Sequence, residues 1–354
     1  MKCIPHSRPC VGAAEARVAA AVVRSGRLAQ GAQAAGLERE LSGYVGHREG
    51  IAVSSGTAAL YCALKALGVG KGGAVVVPSY VCAALLHAVC AAGASAVLAD
   101  VDGRSGNCTV ETVRKALRRK VKAIIVPHLF GNPAPAHDIE RCCGVPVIED
   151  CAQCVGATID GKPVGSLTTL SVFSMYATKV LAAGEGGMVA TSDSAIARAV
   201  KDIREYDNRD DFRQRFNFKM SDMHAAVARE QLKKIDRIVR RRRAIAARYD
   251  AALEAVMGTA ALPPRHPAAQ PMYFRYVVRM RTGAERIISF MNRHGICCSR
   301  PVYKPLHRYL RLGGFPGTET IYRQAVSIPI YPGLSENEIR TVLRTFRTAV
   351  CGSV

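Results

Sequence analysis

Lys179 is the residue whose sequence surroundings suggest chemistry most directly. It stands between an apolar, strand-like segment and a glycine-rich turn at 184–187. A lysine in a desolvated cleft can lose its proton and attack a carbonyl carbon as a nucleophile. A lysine on a solvated surface could have the same local sequence, so this segment alone leaves both interpretations open.

A second segment, Ser54-Ser55-Gly56-Thr57, joins a predicted strand to a predicted helix through small residues. The first amides of a helix have no partner inside the helix, and the helix dipole adds partial positive charge there. Such a helix start can bind a phosphate group, although an ordinary Ser or Thr helix cap would look the same. The segment is not a Walker loop, because no Gly-Lys-Ser or Gly-Lys-Thr follows it.

A third segment places two carboxylates, Glu149 and Asp150, after an apolar strand predicted over 145–148. A carboxylate at that place can hold a positively charged partner in a cleft, or it can cap the next helix. Together the three segments supply a phosphate cradle, a strand-end carboxylate and a nucleophilic lysine. Pyridoxal phosphate requires these groups, since a carboxylate keeps its pyridine nitrogen protonated and a lysine binds it as a Schiff base.

The elements that must position these groups alternate between strand-like and helix-like patterns over residues 50–190. Strands are predicted over 51–54, 74–77, 96–99, 123–126 and 145–148, and helices over 57–67, 81–92, 111–118 and 138–143. This alternation is typical of a doubly wound α/β fold with a mostly parallel sheet. Ligands of such sheets bind beyond the carboxyl ends of the strands. The residues expected there are 54–57, Pro78, Ser79, His128, Glu149 and Asp150.

The C-terminal part of the chain has its own pattern of helices and strands. A long connector helix is predicted over 224–257, followed by a break at 262–264. A strand over 272–280, a helix over 284–294 and a final strand over 327–330 follow. We therefore expect a large cofactor-binding domain over 1–239, which includes the start of the connector helix, and a smaller α/β domain over 240–354.

The composition is that of a folded, basic protein. The 354 residues carry 49 Lys and Arg against 28 Asp and Glu, a net charge of +21, and 49% are hydrophobic. That hydrophobic fraction suffices for a buried core and excludes disorder as the main state. The positive charge could bind nucleic acid, attract an anionic small substrate or only belong to a solvated surface.

Most of this charge lies in two runs, 114–122 and 229–248, both predicted as helices. In the second run apolar residues recur every three or four positions, so one stripe faces a core and most arginines face water. Of the arginines, only Arg242 falls on the stripe. No aromatic residues interleave with the basic ones, which disfavours nucleic-acid binding.

The cysteines and the apolar runs bear on the compartment. Thirteen cysteines, an odd number without an export signal, favour free thiols over a disulfide framework. The single C-x-x-C, from Cys151 to Cys154, lacks the second pair typical of a structural zinc site, so no metal is expected. No apolar run approaches the ~18 residues of a membrane helix, and residues 1–8 lack the apolar core of a signal peptide. We expect a cytoplasmic protein.

Eight short motifs occur in order along nearly the whole chain. They are SGTAAL (55–60), VPSY (77–80), GASAVLADVD (93–102), PHLFG (127–131), IEDCAQCVGA (148–157), FSMYATK (173–179), GEGGMVAT (184–191) and IPIYPGLSENEI (328–339). In these motifs the chain resembles the DegT/DnrJ/StrS family of sugar aminotransferases. The resemblance implies a pyridoxal-phosphate enzyme of the aspartate-aminotransferase fold type, fold type I.

The resemblance also implies a role for each matching residue around the cofactor. Lys179 matches the family's Schiff-base lysine, and Asp150 matches the carboxylate that pairs with the pyridine nitrogen. Gln153 matches the amide on the side of the ring hydroxyl. Gly56 and Thr57 match the phosphate-binding turn.

Two further matches concern the cofactor phosphate. Ser174 matches an additional phosphate ligand. Asn217 matches an asparagine that reaches the phosphate of the neighbouring subunit. Because active sites of the family lie at a dimer interface, the resemblance implies a homodimer.

The sequence departs from the family at two places. At Cys82 the family usually has an aromatic residue or histidine that stacks on the cofactor ring. Either Tyr80 or His87 would then supply the contact, or the ring is held less firmly. The residue before Met220 is usually arginine and is Lys219 here, so bidentate binding of a carboxylate would be lost.

The resemblance implies transfer of an amino group, expected to come from glutamate, to a keto group of a nucleotide-activated sugar. Such reactions serve the biosynthesis of cell-surface polysaccharides or secondary metabolites. Substrate contacts are expected from Tyr176, Lys219, Tyr303 and His307. The alternatives are a non-nucleotide ketone such as a cyclitol, or a regulatory member without catalysis. A further branch of the family replaces the lysine with histidine and dehydrates sugars, which Lys179 disfavours.

Overall fold

A seven-stranded sheet forms the centre of the computed structural model, which describes residues 3–264 and 266–352. The strands, in chain order, are β1 (Glu49–Val53), β2 (Ala74–Pro78), β3 (Ser95–Ala99), β4 (Val121–Pro127), β5 (Val147–Asp150), β6 (Thr158–Ile159), β7 (Lys162–Pro163), β8 (Leu170–Ser174), β9 (Gly187–Thr191), β10 (Ala269–Gln270), β11 (Tyr276–Arg279) and β12 (Ala325–Ile328).

Helices cover the sheet and build most of the C-terminal part. They are α1 (Ala13–Ser25), α2 (Ala32–Val45), α3 (Gly56–Ala66), α4 (Ala84–Ala91), α5 (Val110–Ala116), α6 (Ala136–Cys143), α7 (Ser194–Arg204), α8 (Asp222–Leu232), α9 (Ile235–Met257), α10 (Ala284–Arg293), α11 (Leu306–Tyr309), α12 (Pro316–Gln324) and α13 (Glu336–Cys351). Short 3-10 turns occur at Leu129–Gly131 and Thr259–Ala261.

The strand order in the main sheet is β1-β9-β8-β5-β4-β2-β3. The pairs from β8 to β3 are parallel, whereas β9 runs antiparallel to both of its neighbours. The predicted mostly parallel α/β sheet is therefore confirmed. Asp150 pairs in register with Pro127 on one side and Val172 on the other, so the carboxyl ends of β4, β5 and β8 meet at one edge.

Both faces of the sheet are buried, as in α/β proteins generally. Val75 and Val77 pack with α3, α4 and α7 on one face, while Val76 packs with α5 and α6 on the other. Burial on both faces explains the continuous apolar runs that the sequence shows at the central strands. Among the described residues no helix is both long enough and apolar enough to span a bilayer.

A separate hydrophobic cluster lies in the C-terminal part, where β11 and β12 form an antiparallel pair beside α10 and α13. Helix α9 contributes to two clusters. Val239 belongs to a cluster with residues of α2 and of strand β1 in the main sheet. Ile245 and Tyr249 belong to the C-terminal cluster. Ile4, near the start of the chain, also packs with the C-terminal cluster. The domain boundary at 239/240 stays a prediction.

Helix α9 shows the predicted buried stripe, with Arg242 on it. Arg242 is buried, and its Nη1 donates to the carbonyl oxygens of Tyr273, Phe274 and Ile330 at 3.0, 3.2 and 3.1 Å. These contacts compensate for the removal of the guanidinium from water.

Two predicted helices differ from the structure. The connector predicted over 224–257 is two helices, because the chain turns at Lys233-Lys234. Buried contacts to α1 accompany this turn, since Gln231 donates to the Glu15 carboxylate and Lys234 forms an ion pair with it. The helix predicted over 114–122 ends at Ala116, because the chain from Val121 onward joins the sheet as β4.

Candidate active site

A pocket of about 230 Å³ opens at the carboxyl ends of β5 and β8, beside the first turn of α3. Its lining residues are Ser55, Gly56, Thr57, Leu60, Cys82, Ala84, Leu85, Asp150, Ala152, Val172, Phe173, Ser174, Tyr176, Lys179 and Glu185. The structure thus brings together five of the expected cofactor residues, Gly56, Thr57, Asp150, Ser174 and Lys179. They come from three segments that are far apart in the sequence.

The start of α3 forms one end of the pocket. Ser55 caps the helix by accepting a hydrogen bond from the amide of Ala58 at 3.1 Å. A Cβ atom at Gly56 would lie 2.8 Å from the Cβ of Ser174, so only glycine allows the helix to approach β8 this closely. The first-turn amides and the Thr57 and Ser174 hydroxyls thus form a donor set suited to an anion.

Asp150 is the last residue of β5 and is buried. Burial raises the pKa of its carboxyl group, while the Ala152 amide, Lys179 and His128 pull that pKa down. The Ala152 amide donates to Oδ1 at 3.0 Å. Among residues 3–264 and 266–352, no cationic nitrogen lies within the 4.0 Å of an ion pair with this carboxylate. A positively charged group entering the pocket would find a carboxylate without a charged partner at contact distance.

Lys179 lies in the loop between β8 and β9. This loop is held by backbone hydrogen bonds, including Lys179 to the Tyr176 carbonyl and Ala177 to the Gly184 carbonyl. Burial lowers the pKa of the Lys179 ammonium, and the charges of Asp150 and Cys82 oppose that shift. The ammonium of Lys179 therefore loses its proton more easily than a solvated lysine does, and the uncharged amine is the form that attacks a carbonyl carbon.

The position expected to face the cofactor ring is occupied by Cys82. Cys82 is exposed and lines the pocket. Tyr80 lies outside the lining and packs edge-on against Phe130 at 6.3 Å. His87 lies on α4, exposed and also outside the lining. Neither residue compensates for the missing aromatic group in this pocket.

Gln153 does not line the pocket. Its side-chain oxygen accepts a hydrogen bond from the Phe130 amide at 2.9 Å, which supports a turn where Phe130 has a φ of 63°. The implied contact of Gln153 with the ring hydroxyl therefore stays a prediction.

Asn217 and Lys219 lie in a segment without regular secondary structure before α8. Asn217 is exposed and lies outside the lining of this pocket. Its neighbours Phe216 and Phe218 stack on each other at 4.8 Å and fix the segment. Lys219 forms an ion pair with Asp207, and this contact raises its pKa. Lys219 is thus engaged by Asp207 and is not among the residues that line the pocket.

The remaining predicted substrate residues separate into two groups. Tyr176 lines the pocket and is about half exposed, at 48%. Tyr303 is exposed but outside the lining. His307 is buried, and its ring bridges Ser79 at 2.7 Å and Glu319 at 2.9 Å. Because both ring nitrogens are occupied, His307 holds the C-terminal part against the strand-end edge and is not available to a substrate here.

Sequence reasoning missed Arg275, a residue that acts on the site. Arg275 contributes positive charge that lowers the pKa of Lys179. Both side chains contact the Phe274 ring, whose centre lies 5.4 Å from the Lys179 Nζ and 5.5 Å from the Arg275 Cζ. Arg275 also contacts His6 at 3.0 Å. Arg275 lies in a segment predicted as a strand, where every second residue is expected to face solvent. The sequence therefore gave no sign that Arg275 acts on the site.

A buried cluster beneath the site does not offer ligands to a metal. His128, Glu149 and Cys151 place their side-chain atoms within 4.8 Å of one another. The Glu149 carboxylate, however, already accepts hydrogen bonds from the amides of Gly165, Leu167 and Thr168 and contacts His128 at 3.0 Å. These contacts engage both oxygens of the Glu149 carboxylate in holding the fold together.

Comparisons with known proteins agree with this geometry. The sequence profile of the DegT/DnrJ/EryC1/StrS aminotransferase family matches residues 9–347. The spore coat polysaccharide biosynthesis protein SpsC of Bacillus subtilis is 28% identical, with 99% of this chain and 98% of SpsC aligned. UDP-N-acetyl-3-dehydro-alpha-D-glucosamine 3-aminotransferase of Acidithiobacillus ferrooxidans is 31% identical over 91% of this chain and 90% of its own.

A similar solved structure is that of the aminotransferase TlmJ from Streptoalloteichus hindustanus. It superposes with a TM-score of 0.93 at 30% identity and covers 99% of this chain and 100% of its own. The resemblance inferred from the eight motifs and the fold type are both confirmed. The chain belongs to the DegT/DnrJ/EryC1/StrS aminotransferase family and is an enzyme of the aminotransferase class.

Proposed function

We propose that this enzyme uses pyridoxal phosphate to transfer an amino group, with glutamate as donor, to the keto group of a nucleotide-activated sugar. The observation that carries the proposal is the convergence of Lys179, Asp150 and the first turn of α3 on one pocket. Aminotransferases of this family depend on pyridoxal phosphate.

The residues of the pocket fit the cofactor group by group. The first-turn amides of α3, with Thr57 and Ser174, suit its phosphate, and the close approach at Gly56 leaves no room for a side chain. Asp150 suits the pyridine nitrogen, because none of the described residues places a cationic nitrogen within ion-pair distance of its buried carboxylate. Lys179 suits the aldehyde carbon, since it is the amine in the lining. When bound, the cofactor supplies an electron sink that allows amino groups to be exchanged between donor and ketone.

The roles of the chain's own groups follow from these placements. The Asp150 carboxylate holds the proton on the pyridine nitrogen. The Nζ of Lys179 would hold the cofactor and would accept the proton that leaves the donor's α-carbon. Burial favours this because it lowers the pKa of Nζ, so the amine is available as a base.

The nucleotide-sugar substrate is supported by the name of a relative and by charge. One relative acts, by its name, on a UDP-linked keto sugar. Residues 240–354 carry 19 Lys and Arg against 6 Asp and Glu, so the C-terminal part of this chain is strongly basic. A positive surface raises the local concentration of a diphosphate-linked substrate. Tyr176, at the pocket mouth, is the residue we assign to substrate contact.

The proposal includes a homodimer with shared sites. Asn217 is exposed and outside the lining of its own chain's pocket, which suits a residue that serves the neighbouring subunit. Phe212, five residues earlier, is fully exposed. A large exposed aromatic ring near such a residue is a feature of interfaces between subunits.

The test of the substrate class is a screen of nucleotide-linked keto sugars and of matched free ketones, including a keto-cyclitol. The aminated cofactor is first generated with glutamate, and its absorption band is followed after each ketone is added. The proposal expects the band to revert only with a nucleotide-linked sugar. Reversion with the cyclitol but not with nucleotide sugars would replace this substrate class with the other one. Failure of glutamate to generate the aminated form, with the cofactor bound, would favour a regulatory protein without catalysis.

A further inference from the structure

A second pocket, of about 460 Å³, lies in the C-terminal part and shares no lining residue with the candidate active site. It is formed where the end of α9, the end of β11, the start of α10 and the end of α13 come together. Its lining residues are Val256, Met257, Ala260, Ala261, Arg279, Met280, Arg281, Thr282, Arg286, Ile287, Gln324 and Val350. A volume of this size is typical of sites for small organic ligands.

Among the described residues that line this pocket, the charged ones are three arginines, Arg279, Arg281 and Arg286, and none is acidic. Within the described part of the chain, none of the three forms an ion pair. The adjacent Glu285 pairs instead with Arg300, at 2.9 Å. Three unpaired guanidinium groups around one cavity create a positive potential that an anion would neutralise.

Arg279 carries a second sign of a missing partner. Its Nε is buried and donates no hydrogen bond to any described group, although another of its nitrogens donates to the Ala260 carbonyl. Burial lowers the pKa of Arg279; the charge of Arg104 lowers it further and that of Asp102 opposes this. The Asp102 carboxylate is already bonded to the Ser105 amide and hydroxyl. A buried donor without an acceptor costs stability, and a bound anion would supply the acceptor.

The rest of the lining is mostly apolar. Val256, Met257 and Val350 are partly exposed and supply apolar side chains that a purely inorganic ion would leave in contact with water, while Met280 and Ile287 are buried beside them. Methionines adapt to ligands of irregular shape. The ligand chemistry that matches both parts of the lining combines an anionic group with an apolar body.

We propose that this arginine pocket binds an organic anion, with a phosphate or carboxylate group against the arginines and an apolar body against the methionines. The proposal does not depend on the reaction at Lys179. The site is built from the fold of the C-terminal part, so it would be present whichever ketone the enzyme accepts.

Calorimetric titration with phenyl phosphate tests the proposal. Inorganic phosphate and phenol serve as probes that each lack one half of the ligand, and saturating pyridoxal phosphate keeps the α3 end of the active site filled. We expect one molecule of phenyl phosphate per chain, and binding of both half-probes weaker by at least about tenfold. The absence of saturable binding, or equal binding of inorganic phosphate, would overturn the proposal.

Paired variants locate the binding. In Arg281→Gln/Arg286→Gln we expect phenyl phosphate to bind at least about tenfold more weakly, because two charge-assisted contacts are lost. The matched control is Arg17→Gln/Arg24→Gln, which removes two exposed arginines from α1 and should change binding by less than about twofold. Equal losses in both pairs would mean that net charge alone attracts the probe, and the site would be rejected. Thermal unfolding of each variant checks that the fold is retained.

Discussion

Asp150 and Lys179 line the same pocket, and each opposes the effect of burial on the other. Burial raises the pKa of the Asp150 carboxyl, whereas the charge of Lys179 lowers it; burial lowers the pKa of the Lys179 ammonium, whereas the charge of Asp150 raises it. No contact within 4.0 Å joins the two charges. Each group is therefore available to a separate part of one ligand, the carboxylate to a cation and the amine to a carbonyl carbon.

Replacing Asp150 with asparagine tests the role of the carboxylate. Asp150→Asn preserves the size of the side chain and removes the charge that would hold a proton on the pyridine nitrogen. We expect transamination to fall by at least about a hundredfold, with a melting temperature close to that of the unmodified protein. Steady-state rates and circular dichroism measure the two effects.

The matched control is Asp138→Asn, an exposed carboxylate on α6. It should retain full activity. If Asp150→Asn is as active as Asp138→Asn, the strand-end carboxylate is only part of the local fold.

The ring-facing position of Cys82 leads to a prediction about cofactor retention. Cys82→His would place a planar ring against the cofactor, and such contacts contribute about 0.5–1.5 kcal/mol. We therefore expect the cofactor to dissociate about two- to tenfold more slowly, as measured by loss of its absorbance during dialysis. Cys90→His, at an exposed position on α4, is the control. Equal retention in the two variants would show that residue 82 does not face the ring.

The shared site can be tested by mixing two chains that each carry one defect. Asn217→Ala should weaken cofactor retention, and Lys179→Ala should abolish turnover. If the sites are shared, each mixed dimer holds one site with both defects and one with neither, so some activity returns on mixing. Gel filtration and a tag on one chain establish that mixed dimers form.

Gln214→Ala replaces an exposed residue of the same segment and serves as the control for Asn217→Ala. It should leave retention unchanged. Mixed dimers that form and remain inactive would place Asn217 and Lys179 at the same subunit's site. An enzyme that turns over as a monomer would refute sharing altogether.

His6 leads to a prediction about acid stability. Burial, together with the charge of Arg275, lowers its pKa from 6.5 to about 3. Between these values the unfolded chain binds the proton and the folded chain does not. The contribution of His6 to stability is therefore complete above pH 6.5 and is lost as the pH falls.

His6→Gln should remove this pH-dependent contribution. Between pH 7 and pH 5 the free energy of unfolding of the variant should therefore fall by about 2 kcal/mol less than that of the unmodified protein. Urea unfolding at the two pH values measures the difference. His137→Gln, an exposed histidine on α6, is the control and should follow the unmodified protein. Parallel pH profiles of His6→Gln and the unmodified protein would contradict the assignment.

Local sequence patterns predicted the features that depend on a single helix or strand. The alternation of strands and helices over 50–190 predicted the mostly parallel sheet, because each element must bury one face. The periodicity of the arginine-rich helix predicted that Arg242 is buried. In the structure three carbonyl oxygens accept hydrogen bonds from its guanidinium.

Features that depend on distant contacts were not visible in the sequence. The turn at Lys233-Lys234 is accompanied by contacts to Glu15, more than two hundred residues away, and no Gly or Pro marks it. His307 was assigned to the substrate on resemblance, yet its two nitrogens bridge Ser79 and Glu319. The arginine pocket is formed by four segments that are separate in the sequence. The sequence shows how many arginines the C-terminal part has, but not that three of them line one pocket.

Reduction with borohydride tests the central claim, that Lys179 carries the cofactor, most directly. Borohydride fixes pyridoxal phosphate to the lysine that holds it, and mass spectrometry of the peptides identifies that residue. We predict one label per chain, on Lys179, and none in Lys179→Arg. The control Lys162→Arg, at an exposed position in β7, should be labelled like the unmodified protein. A label on another lysine, or no label on protein saturated with the cofactor, would contradict the assignment of this pocket.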